Sequence, residues 1–316
     1  MRILVAGGTG QLGQIITRGL IAAGHQVQVL GRSVPDPALR WDGRTQGAWA
    51  RQVDGADAVV NLAGRSVNCR YNWTNLNEMM ASRVESTLAI GEAIAASKTP
   101  PRVWLQASTA SIYPHTLHED NGDDADVIGT PGDDVPAYWG YSTHIARAWE
   151  LALSQADTPH TRKVAMRLGF TMSPDPGGVF DWLAWVTRMR WGGPFYGGEQ
   201  YMAWLHDIDL VRAVRYLLQT PLGGTVNVTA PEPVPNRVFM AALRDAMDIG
   251  IGLPVVPGIA EVAAYALKTD VEILRKSRRV VPTRLTASGF TFRFPTWEQA
   301  VRDLVPRLDP QSRAAA

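Results

Sequence analysis

A short apolar run, Ile3-Leu4-Val5-Ala6, breaks directly into Gly7-Gly8-Thr9-Gly10-Gln11-Leu12-Gly13, and apolar residues then recur at Leu12, Ile15, Ile16 and Leu20 until Gly24. The run reads as a buried parallel strand and the recurrence as a helix. Between them the chain must turn sharply, let its backbone approach a ligand, and pack the helix on the sheet. Each task needs a residue without a Cβ, which Gly7, Gly10 and Gly13 supply. The helix that follows offers free N–H groups and a partial positive charge, a ready seat for phosphate oxygens. Gly7, Thr9, Gly10, Gln11, Leu12 and Gly13 are therefore the expected pyrophosphate-binding segment.

The strand–helix rhythm continues. Val27, Val29 and Leu30 give a second strand ended at Gly31, and Ala56 to Leu62 a third. A helix is expected from Met79 to Ala96, strands at Val103–Leu105 and Val164–Met166, and a helix near Thr143–Ala156 between them. This is the pattern of a Rossmann-type α/β fold, a doubly wound parallel sheet. From about Gly177 the character changes, with Trp182, Trp185, Trp191 and Phe195 around Gly192-Gly193-Pro194. A helix carrying Leu210, Val214, Leu217 and Leu218 and a late strand at Val226-Asn227-Val228 follow. The expected organisation is a nucleotide-binding domain over 1–230 with a substrate-lobe insertion around 177–205. A small, mostly helical C-terminal lobe over 231–307 and a flexible tail over 308–316 complete it. The stretch 115–136 holds seven acidic residues and no Lys or Arg, and reads as an exposed loop.

Two further segments belong to the same site. The second strand ends Leu30-Gly31-Arg32-Ser33. An acidic residue there would suit a ribose 2′-hydroxyl, whereas Arg32 suits a 2′-phosphate, so NADP(H) is favoured over NAD(H). Asn61-Leu62-Ala63-Gly64 ends the third strand, and its small residues let a cofactor lie close to the backbone.

Composition narrows the partners. With 31 Lys+Arg against 30 Asp+Glu and no basic block, neither nucleic acid nor a membrane surface is an expected partner. Cys69 is the only cysteine, so neither a disulfide nor a cysteine metal site is expected, and no His/Glu cluster offers an alternative. The opening apolar run is too short for a leader and no segment approaches the ~18 apolar residues of a membrane span. A cytoplasmic protein acting on a small molecule is the expectation.

These segments together resemble the short-chain dehydrogenase/reductases, in particular the extended, epimerase-like members. Asn72-Trp73, Ser82-Arg83-Val84-Glu85-Ser86-Thr87, Arg167-Leu168-Gly169, Trp204-Leu205-His206-Asp207-Ile208-Asp209 and Arg279-Val280-Val281-Pro282 extend the resemblance to about residue 307. The match is to epimerase-family proteins with a C-terminal domain of unknown function. The resemblance adds Arg167, Leu168 and Gly169 to the cofactor-binding set. Read as a residue alone, Arg167 at a strand end faces substrate or pairs with a carboxylate. Homodimers are common among such relatives.

The resemblance implies a Ser/Thr–Tyr–Lys site, in which Tyr exchanges a proton with a substrate oxygen and Lys, one helical turn on, lowers the Tyr pKa. Thr109 and Ser108 are the candidates for the first position. The pair itself is broken. Four residues after Tyr138 stands Ser142, four after Tyr141 stands Ile145, and no lysine lies between Lys98 and Lys163. Tyr141 with His144 or Arg147, or else Tyr113, is left to handle the proton. His206 and Asp207 precede a helix that Asp207 or Asp209 caps. The tryptophans after 177 offer an aromatic wall for an apolar or aromatic substrate. Three readings stand: an NADP(H)-dependent oxidoreductase, a nucleotide-sugar epimerase or dehydratase, and a non-catalytic NADP(H)-binding protein.

Overall fold

A computed structural model of the chain describes residues 1–124, 129, 137–258, 261 and 270–309. Six parallel strands form the central sheet: β1 (Arg2–Ala6), β2 (Gln26–Leu30), β3 (Ala58–Asn61), β4 (Val103–Thr109), β5 (Arg162–Leu168) and β6 (Gly224–Val228), in the order β2-β1-β3-β4-β5-β6. The chain leaves β1 toward one side and returns through β3 on the other. This strand-order reversal opens a crevice at the carboxyl edge beside β1, where doubly wound sheets bind their ligands.

Alternation along β1 divides the core. Ile3 and Val5 pack toward α1 (Gln11–Ala22) and α5 (Asp207–Gln219), meeting Ile16, Leu20, Leu210, Val214 and Leu217. Leu4 and Ala6 point to the other face, against Trp49, Ile90 and Ile94, the last two on α2 (Trp73–Ala95). Successive side chains of a strand face opposite ways, so a strand this apolar must be covered on both sides. The helix α3 (Gly140–Gln155) pairs with α2 and precedes β5.

A second core lies beside the sheet. Met172 and Phe180, Leu183 and Ala184 of α4 (Val179–Arg188) pack with Phe239, Met240 and Leu243 of α6 (Asn236–Ala246) and with Trp297, Val301 and Leu304. Residues on both sides of position 230 thus share one core. The late segment also returns to the sheet, since Leu285 and Phe290 belong to the first core. Asp209, fully buried, stitches this return by accepting the backbone N–H groups of Arg293 and Phe294, both at 2.8 Å.

Three expectations are corrected here. The cap of α5 is His206, whose Nδ1 accepts the Ile208 N–H at 3.1 Å while Nε2 faces Asp303 at 3.0 Å; Asp207 and Asp209 lie within the first turn. The acidic stretch is not simply an exposed loop. Asn121 and Asp123 are buried, and Asp123 accepts from Thr283 Oγ1 (2.8 Å) and Arg284 N (2.9 Å); residues 125–128 and 130–136 lie outside the described residues. Finally, Trp182 packs on Phe195 within the second core, Trp185 is half-buried and Trp191 is exposed, so they do not form the expected ligand wall.

Candidate active site

The glycine turn is built so that nothing larger fits. Gly7 has φ +75°, and a Cβ there would stand 2.8 Å from Ala63 N. A Cβ on Gly13 would come within 2.5 Å of the Gly8 Cα. Among the described residues no side chain caps the α1 N-terminus, whose first N–H groups have no intrahelical partner. Gln11 Nε2, beside it, is buried without an acceptor among the described residues. Unmet donors around a helix N-terminus fit a pyrophosphate.

A single cavity of about 430 Å³ runs from this turn across the carboxyl edge of the sheet. Gly7, Gly10, Gln11, Leu12 and Gly13 line one end. Leu62, Gly64, Ser108, Thr109, Leu168 and Gly169 line the middle. The far chamber is walled by Val67, Tyr71, Leu76, Met79, Ile145, Trp149 and Phe170, with Arg83, Ser111, Ser142, Glu272 and Arg278 as its polar members. The apolar wall anticipated for the substrate therefore exists, but different residues build it.

Not every expected cofactor residue faces the cavity. Asn61 is fully buried and occupied, its Nδ2 donating to Gln106 Oε1 (3.0 Å) and its Oδ1 accepting from Ala63 N (3.0 Å). It holds the turn that presents Leu62 and Gly64. Ala63 contributes the backbone that Gly7 approaches. Thr9 sits against Gly31, tying the glycine turn to the end of β2. Beyond it, exposed Arg32 shares a groove with Arg40, Trp41, Asp42 and Thr45, and Ser33 is exposed.

Arg167 is corrected from cofactor ligand to buried strut. Opposite Ser108 in the β4–β5 register, its Nε and Nη2 bind Glu150 of α3 at 2.9 and 2.8 Å. Its Nη1 donates to the Tyr113 hydroxyl at 2.8 Å. Burial opposes the Arg167 charge, but the Glu150 hydrogen bonds and charge outweigh it and raise the pKa. Ser108 Oγ donates to the same carboxylate at 2.5 Å. Tyr113, buried, reaches Asn227 Oδ1 (2.9 Å) and Gly122 O (3.0 Å). It is therefore enclosed in this network and is no acid for the cavity. Thr109 Oγ1 accepts the Ser111 N–H at 3.1 Å, and its own proton is left to donate.

The tyrosines of α3 are also displaced. Tyr141 packs edge-on against Trp73 at 5.1 Å and does not line the cavity, and His144 and Arg147 are exposed. Helical spacing instead turns Ser142, Ile145 and Trp149 inward. Ser142 Oγ lies 2.6 Å from Glu272 Oε1 and 3.0 Å from Trp139 O. Arg278 Nε donates to Ser111 Oγ at 2.8 Å, and Lys276 Nζ donates to Ser111 O at 2.8 Å. Burial brings Lys276 down to about 8. Sequence reasoning missed Glu272 and Arg278 because they arrive from some 130 residues downstream of α3 with no local motif. Arg83 lay inside a quoted motif, but only the fold shows that it faces the cavity.

Glu272 is fully buried, and burial raises its pKa more than Arg278 and Lys276 nearby lower it. A carboxyl raised on folding stabilises the protein fully below its unfolded value of about 4.3, and that contribution is lost as pH rises through the higher folded value. Glu272→Gln should thus gain thermal stability relative to the wild type as pH climbs above about 4.3. Melting temperatures across that range check this; a wild type that gains on the variant would contradict it.

The model of the NAD dependent epimerase/dehydratase family matches residues 3–229. The chain belongs to that family. A domain of unknown function, DUF1731, matches 256–304, the stretch that delivers Glu272 and Arg278. The chain is similar to the epimerase family protein SDR39U1 of Bos taurus, 29% identical, covering 96% of this chain and 100% of the relative. It is also similar to the epimerase family protein YfhF of Bacillus subtilis, 26% identical over 96% and 98%. A crystal structure of human epimerase family protein SDR39U1 with NADPH superposes with TM-score 0.81 at 26% identity, covering 98% of this chain and 100% of that one. Thermus thermophilus UDP-glucose 4-epimerase in complex with NAD shares the fold, with TM-score 0.71 at 20% identity, covering 100% of both chains. The expected family and the expected parallel-sheet architecture are both borne out.

Proposed function

We propose that this family member is an NADP(H)-dependent oxidoreductase acting on a small carbonyl, alcohol or unsaturated substrate. The observation that carries the reading is the continuous cavity, which joins the bare helix N-terminus to an apolar chamber past the Thr109 hydroxyl. The Gly7 and Gly13 cradle, the unmet Gln11 amide and the uncapped helix all fit a dinucleotide. Exposed Arg32, just past the end of β2, supports a 2′-phosphate contact, and the SDR39U1 structure that resembles this one holds NADPH.

The cofactor, when bound, supplies hydride chemistry. The chain's own task is alignment and exclusion of water. Thr109 donates its free proton to a substrate oxygen and so orients it. Val67, Leu76, Met79 and Ile145 shield the reacting face. Ser142, on the inward face of α3 and linked to Glu272, holds a proton at Oγ where Tyr141 is turned away.

Two outcomes test this. Arg32→Ala should weaken NADPH binding by about tenfold, the worth of a charge-assisted phosphate contact, and leave NADH within about twofold. Equal losses for both nucleotides, measured by fluorescence titration, would remove the 2′-phosphate assignment. A carbonyl panel with Thr109→Ala as control then asks whether NADPH is consumed. The family description favours a second reading, an epimerase, in which substrate is converted with no net change in nucleotide absorbance. The missing Tyr–Lys pair counts against it.

A further inference from the structure

The far chamber contains a cation with no counter-ion among the described residues. Arg83 of α2 is largely buried in the cavity wall, lies across the backbone of Gly64, and holds its guanidinium carbon 5.1 Å from the centre of the Trp149 ring. Its Nη1 donates to Met79 O at 3.0 Å, and among the described residues it forms no ion pair with a carboxylate. The other charged groups of the wall differ. Arg65 pairs with Glu78, and Arg278 is held by Ser111 with Glu272 nearby. A second unmet donor stands beside Arg83: Trp149 is 6% exposed, and its Nε1 is buried without an acceptor among the described residues. An indole N–H and a guanidinium with donors to spare, set among Leu76, Met79 and Ile145, need an acceptor that the described residues do not provide. The same desolvation lowers the Arg83 pKa to about 10, so the group stays charged at neutral pH. The groups facing it are Tyr71 and Cys69 of the chamber side.

We propose that Arg83, seated on Trp149, is the anion-binding group of the substrate chamber, and that the substrate is a small apolar molecule bearing a carboxylate or phosphate. This rests on the function proposed above and adds the substrate's charge. A guanidinium presents a planar fork to such an oxyanion, the indole N–H adds a third donor, and the aliphatic wall takes the apolar body. The nucleotide's own phosphates are served at the opposite end by Gly7 and Gln11.

The test compares hexanoate and cinnamate with their methyl esters, and phenyl phosphate with phenol, on the wild type, Arg83→Gln and Arg83→Lys. Binding is read by thermal shift without nucleotide and by quenching of bound NADPH fluorescence with it. The anions should bind the wild type at least about tenfold more tightly than their neutral counterparts. That preference should vanish in Arg83→Gln and return in part in Arg83→Lys. NADPH affinity should change by less than about threefold, since the glycine turn that would hold its phosphates lies at the other end of the cavity. Anions binding no better than neutral probes, or not at all, would overturn the proposal. So would a tenfold loss of NADPH affinity in Arg83→Gln, which would assign the cation to the nucleotide. The wild-type comparison needs no variant and decides even if Arg83→Gln does not fold. If NADPH fails to bind at all, the oxidoreductase reading falls, while the anion preference without nucleotide still decides this one.

Discussion

Gly13→Ala should abolish measurable dinucleotide binding. The added methyl has no free space: it would stand within 2.5 Å of the Gly8 Cα and closer still to the Gly7 carbonyl oxygen. Those neighbours are backbone, so relief requires the turn itself to open. The turn is held from three sides. Gly7 N donates to Leu30 O and Gly10 N to Gly7 O, both at 3.1 Å, and Gly7 abuts Ala63. Opening it moves the first turn of α1 away from the N–H positions that a phosphate would use. The expected loss is at least about a hundredfold in affinity, equivalent to about 2.7 kcal/mol. Titration with NADPH, alongside circular dichroism to verify folding, measures it. An alanine variant that binds as the wild type does would contradict the geometry.

Glu150→Ala should be strongly destabilising. It removes the acceptor for two Arg167 N–H groups and for the Ser108 hydroxyl. The Arg167 side chain is 4% exposed, so its charge is left without a partner in the interior. Breaking a buried pair from one side costs about 3–5 kcal/mol, because the stranded charge keeps its desolvation penalty. Tyr113 and Asn227, tied to Arg167 in the same network, lose their anchor together. Denaturant unfolding checks the size of the loss. Arg167→Met combined with Glu150→Leu should recover much of it, since neither charge then remains buried. A Glu150→Ala protein within about 1 kcal/mol of the wild type would show that the network contributes little.

The sheet was legible for physical reasons. Ile3 to Ala6 could be only a buried strand, and the glycines after it served no purpose in an ordinary turn. The period of Leu12, Ile15, Ile16 and Leu20 faced α1 inward. The same local logic placed Thr109 at the edge of β4. It also recognised two possible fates for Arg167, facing substrate or pairing with a carboxylate. Glu150 decides for the second.

What local pattern did not reveal was which face of α3 turns inward. One residue's difference in rotation, 100° on a helix, exchanges Tyr141 for Ser142. Tyr141 comes to rest against Trp73 of α2, and such a contact between helices leaves no periodic trace. The tryptophans after 177 illustrate the same limit. Aromatic residues suit a ligand wall and a core equally, and here Phe239, Trp297 and Trp204 claim the space for a second core. Glu272 and Arg278 come from a remote segment whose short helix, Glu272–Arg275, carries no signal of where it docks.

The most direct test of the central claim is an equilibrium titration of the purified protein with NADPH and with NADH. Saturable one-site binding of NADPH, at least about tenfold tighter than NADH, is the predicted result. The absence of saturable binding for either nucleotide would contradict it.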